Sequence, residues 1–146
     1  MNTPNKKTKL LYFPAVVSLI AGLMIYIIFR ENTYISKIFE NYIDFSYLRH
    51  CARAWESNFL KYYFPDFLWA LSLDCWMHII VSPKNRGSLA CSAVSGGFGT
   101  FYEVLQYTDV VAGTFDFLDI AMYLSATALV SVYYYTLINQ KKEKMK

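Results

Sequence analysis

Residues 10–29 read "LLYFPAVVSLIAGLMIYIIF", twenty residues in a row without a charge. At 1.5 Å of rise per residue, a helix of that length crosses the roughly 30 Å of hydrocarbon in a bilayer. A soluble amphipathic helix would break such a run with polar residues every three or four positions. This run is unbroken, so it predicts a membrane span. It is longer than the roughly 7–15 residue core of a signal peptide, and no small-residue cleavage pair follows "IIFREN", so the span is expected to be retained. Neither end carries a lipidation motif.

Three further stretches extend that reading. The 146 residues are 55% hydrophobic and 18% aromatic, with only 17% charged, and the apolar ones come in blocks. Residues 62–81, "YYFPDFLWALSLDCWMHIIV", are apolar apart from Asp66, Asp74 and His78. Residues 88–107, "SLACSAVSGGFGTFYEVLQY", are rich in small side chains and carry Glu103. Residues 117–138 hold only Asp119. The predicted fold is all-α, a single membrane domain over residues 1–146 with four transmembrane helices at 10–29, 62–81, 88–107 and 117–138. Between the first two, residues 31–61 repeat apolar side chains at helical spacing: Ile35, Ile38, Phe39, Tyr42 and Ile43, then Leu48, Cys51, Trp55 and Phe59. That segment is expected to form amphipathic helices at the outer membrane boundary, the second capped by Asp44 or Ser46.

Charge sets the orientation. Lys6, Lys7 and Lys9, then Lys84 and Arg86, then Lys141, Lys142, Lys144 and Lys146 make up nine of the fourteen basic residues, against one acid, Glu143. Residues 30–66 balance five bases with five acids, and 108–116 hold two acids and no base. The positive-inside rule therefore puts both termini in the cytoplasm, as expected of a multi-pass protein of the inner (cytoplasmic) membrane. Bases sorted by topology, at a net charge of +3, are no nucleic-acid footprint. Cys51, Cys75 and Cys91 show neither disulfide nor metal spacing, and His50 beside Cys51 would diverge on a helix.

Polar residues within spans are costly and mark sites or interfaces. Ser92, Gly96, Gly99, Glu103 and Gln106 share one helical face through spacings of three and four. Asp66, Ala70, Asp74 and His78, each four apart, form a second stripe. Asp74 and His78 are expected to pair. Asp116 and Asp119 open the last span, where acids accept orphan backbone amides, and Asp116 is read mainly as a cap. Glu103 lies inside its span and must be paired, protonated or wet.

The order Glu103, Gln106, then "GTFDFLDIAMY" with Asp116 and Asp119, resembles the VanZ-like family of small bacterial membrane proteins. Asp66 in "FPDFLW" is similar to the acid that opens an earlier span of that family, and the resemblance covers roughly residues 62–138. The chain departs from the pattern where the family often has an Arg before the acidic pair, offering Ala112, Gly113 and Thr114. Tyr123 and Ala126 stand near a usual Asn and Gly, and Trp69 and Ala70 near a usual His. The resemblance implies an envelope-associated protein in a family linked to low-level glycopeptide (teicoplanin) resistance, and it brings no phosphate-binding Arg.

Three functions fit these residues. The first is an outward-facing acidic pocket of Asp66, Glu103, Gln106 and Asp119 for a lipid or envelope-precursor headgroup, taking hydroxyls or amines, or acting through a divalent cation. The second is a membrane enzyme using Glu103 and Asp119 as acid and base, although no Ser-His-Asp set, zinc motif or phosphate loop is legible. The third is a small membrane subunit docking a larger complex or a second copy of itself. The topology has its own test: a cysteine introduced at Thr108 or Asn58 should be labelled from outside, and one at Asn85 or Lys142 should not. Outside labelling of Asn85 would overturn the orientation.

Overall fold

A computed structural model describes residues 8–30, 33–55, 57–81, 85–111 and 113–143. Lys6, Lys7, Lys84, Lys144 and Lys146, counted above for topology, lie outside them, as does Ala112. Every regular element among the described residues is helical. After a 3₁₀ turn at Thr8–Leu11 come α1 (Tyr12–Phe29), α2 (Tyr34–Glu40) and α3 (Ser46–Ala52). Then follow α4 (Phe64–Val81), α5 (Asn85–Tyr107) and α6 (Phe117–Glu143).

Helices α1, α4 and α6, with the turns flanking them, are long and apolar enough to cross a membrane: Lys9–Phe29, Phe59–Val81 and Phe117–Leu137. The stretch predicted as a fourth span falls in α5, which is long enough at 23 residues, roughly 35 Å. Its serines, glycines, Glu103 and Gln106 lower its hydropathy, so the apolar count reaches three helices. The exposed surface agrees with a lipid setting: Phe13 is 76% exposed, Leu89 71% and Phe117 76%, far more apolar surface than a water-facing helix bundle tolerates.

Local chemistry accounts for the boundaries. Pro14 sits in the first turn of α1, where its missing N–H costs nothing. The Thr33 side chain accepts from the Ser36 amide while Ser36 answers the Thr33 amide, a capping box that starts α2. Asp44 accepts the Ser46 amide at 2.8 Å, which starts α3 and holds its carboxyl below the usual carboxylate range. Most apolar side chains of these two short helices face outward, with Tyr34 and Tyr47 among the most exposed, as is Tyr42 in the turn between them. Before α4 the chain makes a π-helical turn over Phe59–Tyr63. Pro65 lacks the amide that an α-helix would direct at the Lys61 carbonyl, and Arg30 Nε reaches that carbonyl at 3.4 Å. Between α5 and α6, Asp109 (φ 56°) and Gly113 (φ 155°) turn the chain. The φ at Gly113 is one that L side chains rarely adopt, and a Cβ there would also meet the Gln106 carboxamide.

Helix α4 is the hub, packing against α1, α5 and α6, and α5 pairs with α6. The backbones of α1 and α5 stay apart, which leaves a cleft floored by α4. The bundle has a basic end, holding the start of α1 and the close of α6, and an acidic end, holding Arg30, Asp66 and the α5–α6 loop. Leu11, Ala15, Cys75, Ile79, Val130 and Tyr134 form the buried core toward the basic end. Ser72 Oγ donates to the Ala15 carbonyl at 2.8 Å, tying α4 to α1.

Gly22 lets α1 approach α4, because a Cβ there would strike the Trp69 indole. Gly22→Leu should therefore lower the melting temperature in detergent, an overpacking cost of about 1–3 kcal/mol. Ile20→Ala, at a position 55% exposed, should change it little.

Candidate functional site

Asp74 lies near the middle of α4 and His78 one turn on, in its last turn, and neither is exposed. A charge or an unbonded polar atom at such a place costs several kcal/mol unless it finds partners, and the neighbouring helices supply them. Asp74 Oδ2 accepts from Ser92 Oγ at 2.8 Å and Oδ1 from Ser95 Oγ at 3.1 Å, both on α5. His78 Nδ1 lies 3.3 Å from Asp74 Oδ1 and 2.9 Å from the Asp74 backbone carbonyl. Its Nε2 lies 2.9 Å from Ser88 Oγ, and the Tyr134 ring packs over it with centroids 4.6 Å apart. Ser131 of α6 donates to Ser92 Oγ at 2.6 Å. One polar network thus joins α4, α5 and α6. The Asp74 carbonyl can only accept, so Nδ1 carries a proton, and Nε2 meets the Ser88 hydroxyl.

Ser88, His78 and Asp74 stand in Ser-His-Asp order, which the sequence hides because Ser88 belongs to the next helix. Ser88 is only 6% exposed, so a substrate carbonyl has no open approach to its hydroxyl.

At the acidic end, Glu103 is 2% exposed, and its Oε2 accepts from the Asp116 amide at 3.2 Å. Asp116 caps α6, its Oδ1 accepting from the Leu118 amide at 2.9 Å, while Oδ2 accepts from the Tyr63 hydroxyl at 2.9 Å. Asp66 hydrogen-bonds Tyr123 and lies close enough to Glu103 and Asp119 for the three to repel one another. Asp119 Oδ1 is buried without a hydrogen-bond partner, as is Gln106 Oε1. The structure therefore brings Asp66, Glu103 and Asp119 together. Gln106 is turned against Gly113 in the loop, and Asp116 bridges to Tyr63.

Arg30, which no motif marks, acts electrostatically on Asp66 and Asp119 from the end of α1. Its guanidinium sits 5.0 Å from the Tyr26 ring centroid and 5.4 Å from that of Tyr62, and it reaches the Tyr62 carbonyl at 3.5 Å. Spacing could not reveal it, because α1 and α4 meet only in the fold.

Below these acids the cleft deepens into a cavity of about 480 Å³. Helix α4 lines it with Asp66, Trp69, Ala70, Ser72, Leu73 and Trp76; α5 adds Ser95, Phe98, Gly99 and Tyr102. Leu19 of α1 and Tyr123 of α6 complete the lining. From Asp66 to Trp76 it spans about 15 Å along the helix. It is an aromatic slot with a carboxylate toward one end and two serines deeper in. Tyr123 is fixed across Gly99, where a Cβ would come within 2.6 Å of its ring. Among the described residues, no group of three or more His, Cys, Asp or Glu is arranged to hold a metal ion.

The central pair can be tested by substitution. Asp74→Leu or His78→Leu alone should cost about 3–5 kcal/mol of stability if the pair is charged, since the survivor is left buried and uncompensated. The double Leu variant should be milder than either, as read from unfolding in detergent. An unchanged Asp74→Leu melting temperature would show that the contact carries no stability. No family model, curated protein or solved structure matches this chain.

Proposed function

We propose that the protein is a four-span, VanZ-like envelope protein of the bacterial inner membrane that binds a lipid or lipid-linked envelope precursor from the outer leaflet. In this reading α5 is the fourth span, the basic end and both termini face the cytoplasm, and the acidic end faces outward. The observation that carries the proposal is the cavity. An apolar slot with a few convergent polar groups at one end matches the anatomy of a small-molecule site. Its opening between α1 and α5 lies where a lipid could enter sideways. The chain would rest against Trp69, Leu73, Trp76 and Phe98, with its headgroup between Asp66, Glu103 and Asp119 on one side and Arg30 on the other.

The charges at the mouth define the headgroup. Carboxylates attract an amine or accept from hydroxyls, and a guanidinium pairs with phosphate. Together they suit a headgroup that carries both a phosphate and an amine. The buried Asp119 oxygen without a partner supplies an acceptor for that amine. Antibiotic tolerance would follow indirectly, through the handling of such a lipid at the outer surface.

Tryptophan fluorescence reads this directly, because Trp69 and Trp76 line the cavity. In a Trp55→Phe background in detergent micelles, substoichiometric brominated phosphatidylethanolamine should quench saturably, and brominated phosphatidylglycerol less. Leu73→Phe, which fills the slot from its rim, should weaken quenching about tenfold, equivalent to about 1.4 kcal/mol. Glu103→Gln should fold as well as wild type yet lose the headgroup preference. Equal quenching by both lipids, unaffected by either substitution, would refute the reading.

A further inference from the structure

The buried polar network and the cavity are continuous, and that continuity carries a second activity. Ser95 lines the cavity and donates to Asp74 Oδ1 at 3.1 Å. His78 Nδ1 lies 3.3 Å from the same oxygen, and Nε2 lies 2.9 Å from Ser88 Oγ. Ser88 stands in the first turn of α5, at the basic end. The cavity reaches from Ser95 back to Asp66 and Tyr123 at the acidic end. The geometry points to a proton-transfer path across the membrane, running from the acidic mouth through the cavity to Ser95, Asp74, His78 and Ser88.

Each link is a group suited to its place. Asp66 and Glu103 at the mouth gather protons, and the cavity is roomy enough for water, with Ser72, Ser95, Asp66 and Tyr123 offering it partners. Asp74 takes a proton from that water through the Ser95 hydroxyl. From the tautomer protonated at Nε2, the ring gains a proton from Asp74 at Nδ1 as Nε2 releases its own to Ser88 and on to water beyond the helix end. That leaves the ring in its Nδ1-protonated form, and its return to the Nε2-protonated tautomer closes the cycle with no other reactant consumed. Chains of Asp and His within membrane spans serve this purpose in pumps and transporters.

The titratable groups facing the relay are few. Cys75 shares α4 with Asp74, Cys91 approaches from α5, and Tyr134 of α6 covers the His78 ring. Helix α1 contributes the Ala15 carbonyl, through Ser72. Ser92 and Ser131 make a side branch that binds Asp74 Oδ2 and leaves the path itself unchanged. The path needs water in the cavity where the lipid reading puts an acyl chain, so it conducts only while the slot holds no lipid.

The test is proton flux into vesicles containing the full chain. With an internal pH dye and a valinomycin-clamped potassium potential, wild type should acidify the lumen several-fold faster than empty vesicles. Ser95→Ala keeps the Asp74–His78 pair and removes only the link to the cavity, so it should fold normally and lose most of that flux. His78→Gln should fall to the empty-vesicle rate, whereas Ser131→Ala should retain the wild-type rate. Wild-type flux equal to that of empty vesicles, or undiminished flux through folded Ser95→Ala, would overturn the proposal.

Discussion

A carboxylate in the middle of a membrane helix cannot be left alone, and Asp74 is where that constraint falls. Its two oxygens draw Ser92 and Ser95 of α5, and its neighbour His78 draws Ser88. Ser131 then brings α6 onto the same network. Hydrophobic burial cannot align helices that already lie in hydrocarbon. Small side chains and interhelical hydrogen bonds set their positions. Here the serines of α5 provide both, and their cost in hydropathy is the reason α5 is the least apolar of the long helices. The rotation of α4 follows: Asp74 and His78 must face α5 and α6, which turns Trp69, Leu73 and Trp76 toward the gap beside α1. The cavity is a consequence of how the polar stripe is satisfied.

The same logic governs the acidic end. Glu103 is accommodated because the chain returns across it, presenting the Asp116 amide. That return depends on the Gly113 turn and on Asp116 holding both the α6 cap and Tyr63. Three acids gathered there would repel one another, and the arrangement is tempered by Tyr123 and by Arg30. Arg30 is held in turn by two aromatic rings and by carbonyls in the π-helical turn before Pro65. A proline in α4 thus helps to place a cation at the mouth of a cavity some residues away.

Much of this was legible in the residues. Unbroken apolar length marked α1, and the spacing of four along Asp66, Ala70, Asp74 and His78 put one stripe on α4 facing its neighbours. The stripe from Ser92 to Glu103 faces α6 for the same reason: helical periodicity needs no knowledge of the partner. What stayed hidden were pairings between distant elements. Arg30 reads as a flanking charge until α1 lies beside α4, and Ser88 as a loop-proximal serine until His78 turns toward it. Gln106 shares the helical face of Glu103, yet its carboxamide turns to Gly113, since a residue in the last turn answers to the loop as well as to the neighbouring helix. The apolar pattern of residues 31–61 marked helices, but their outward-facing side chains show that pattern alone does not say what such a face meets.

The proposed lipid slot sits in a small helical bundle organised by buried polar residues on its central helix. Native mass spectrometry of the intact protein, released from mild detergent after extraction from its own membrane, tests that most directly. One bound lipid per chain, carrying both amine and phosphate and largely lost in Leu73→Phe, is the expected result. A bare chain, or a stoichiometric second protein with no lipid, would contradict it.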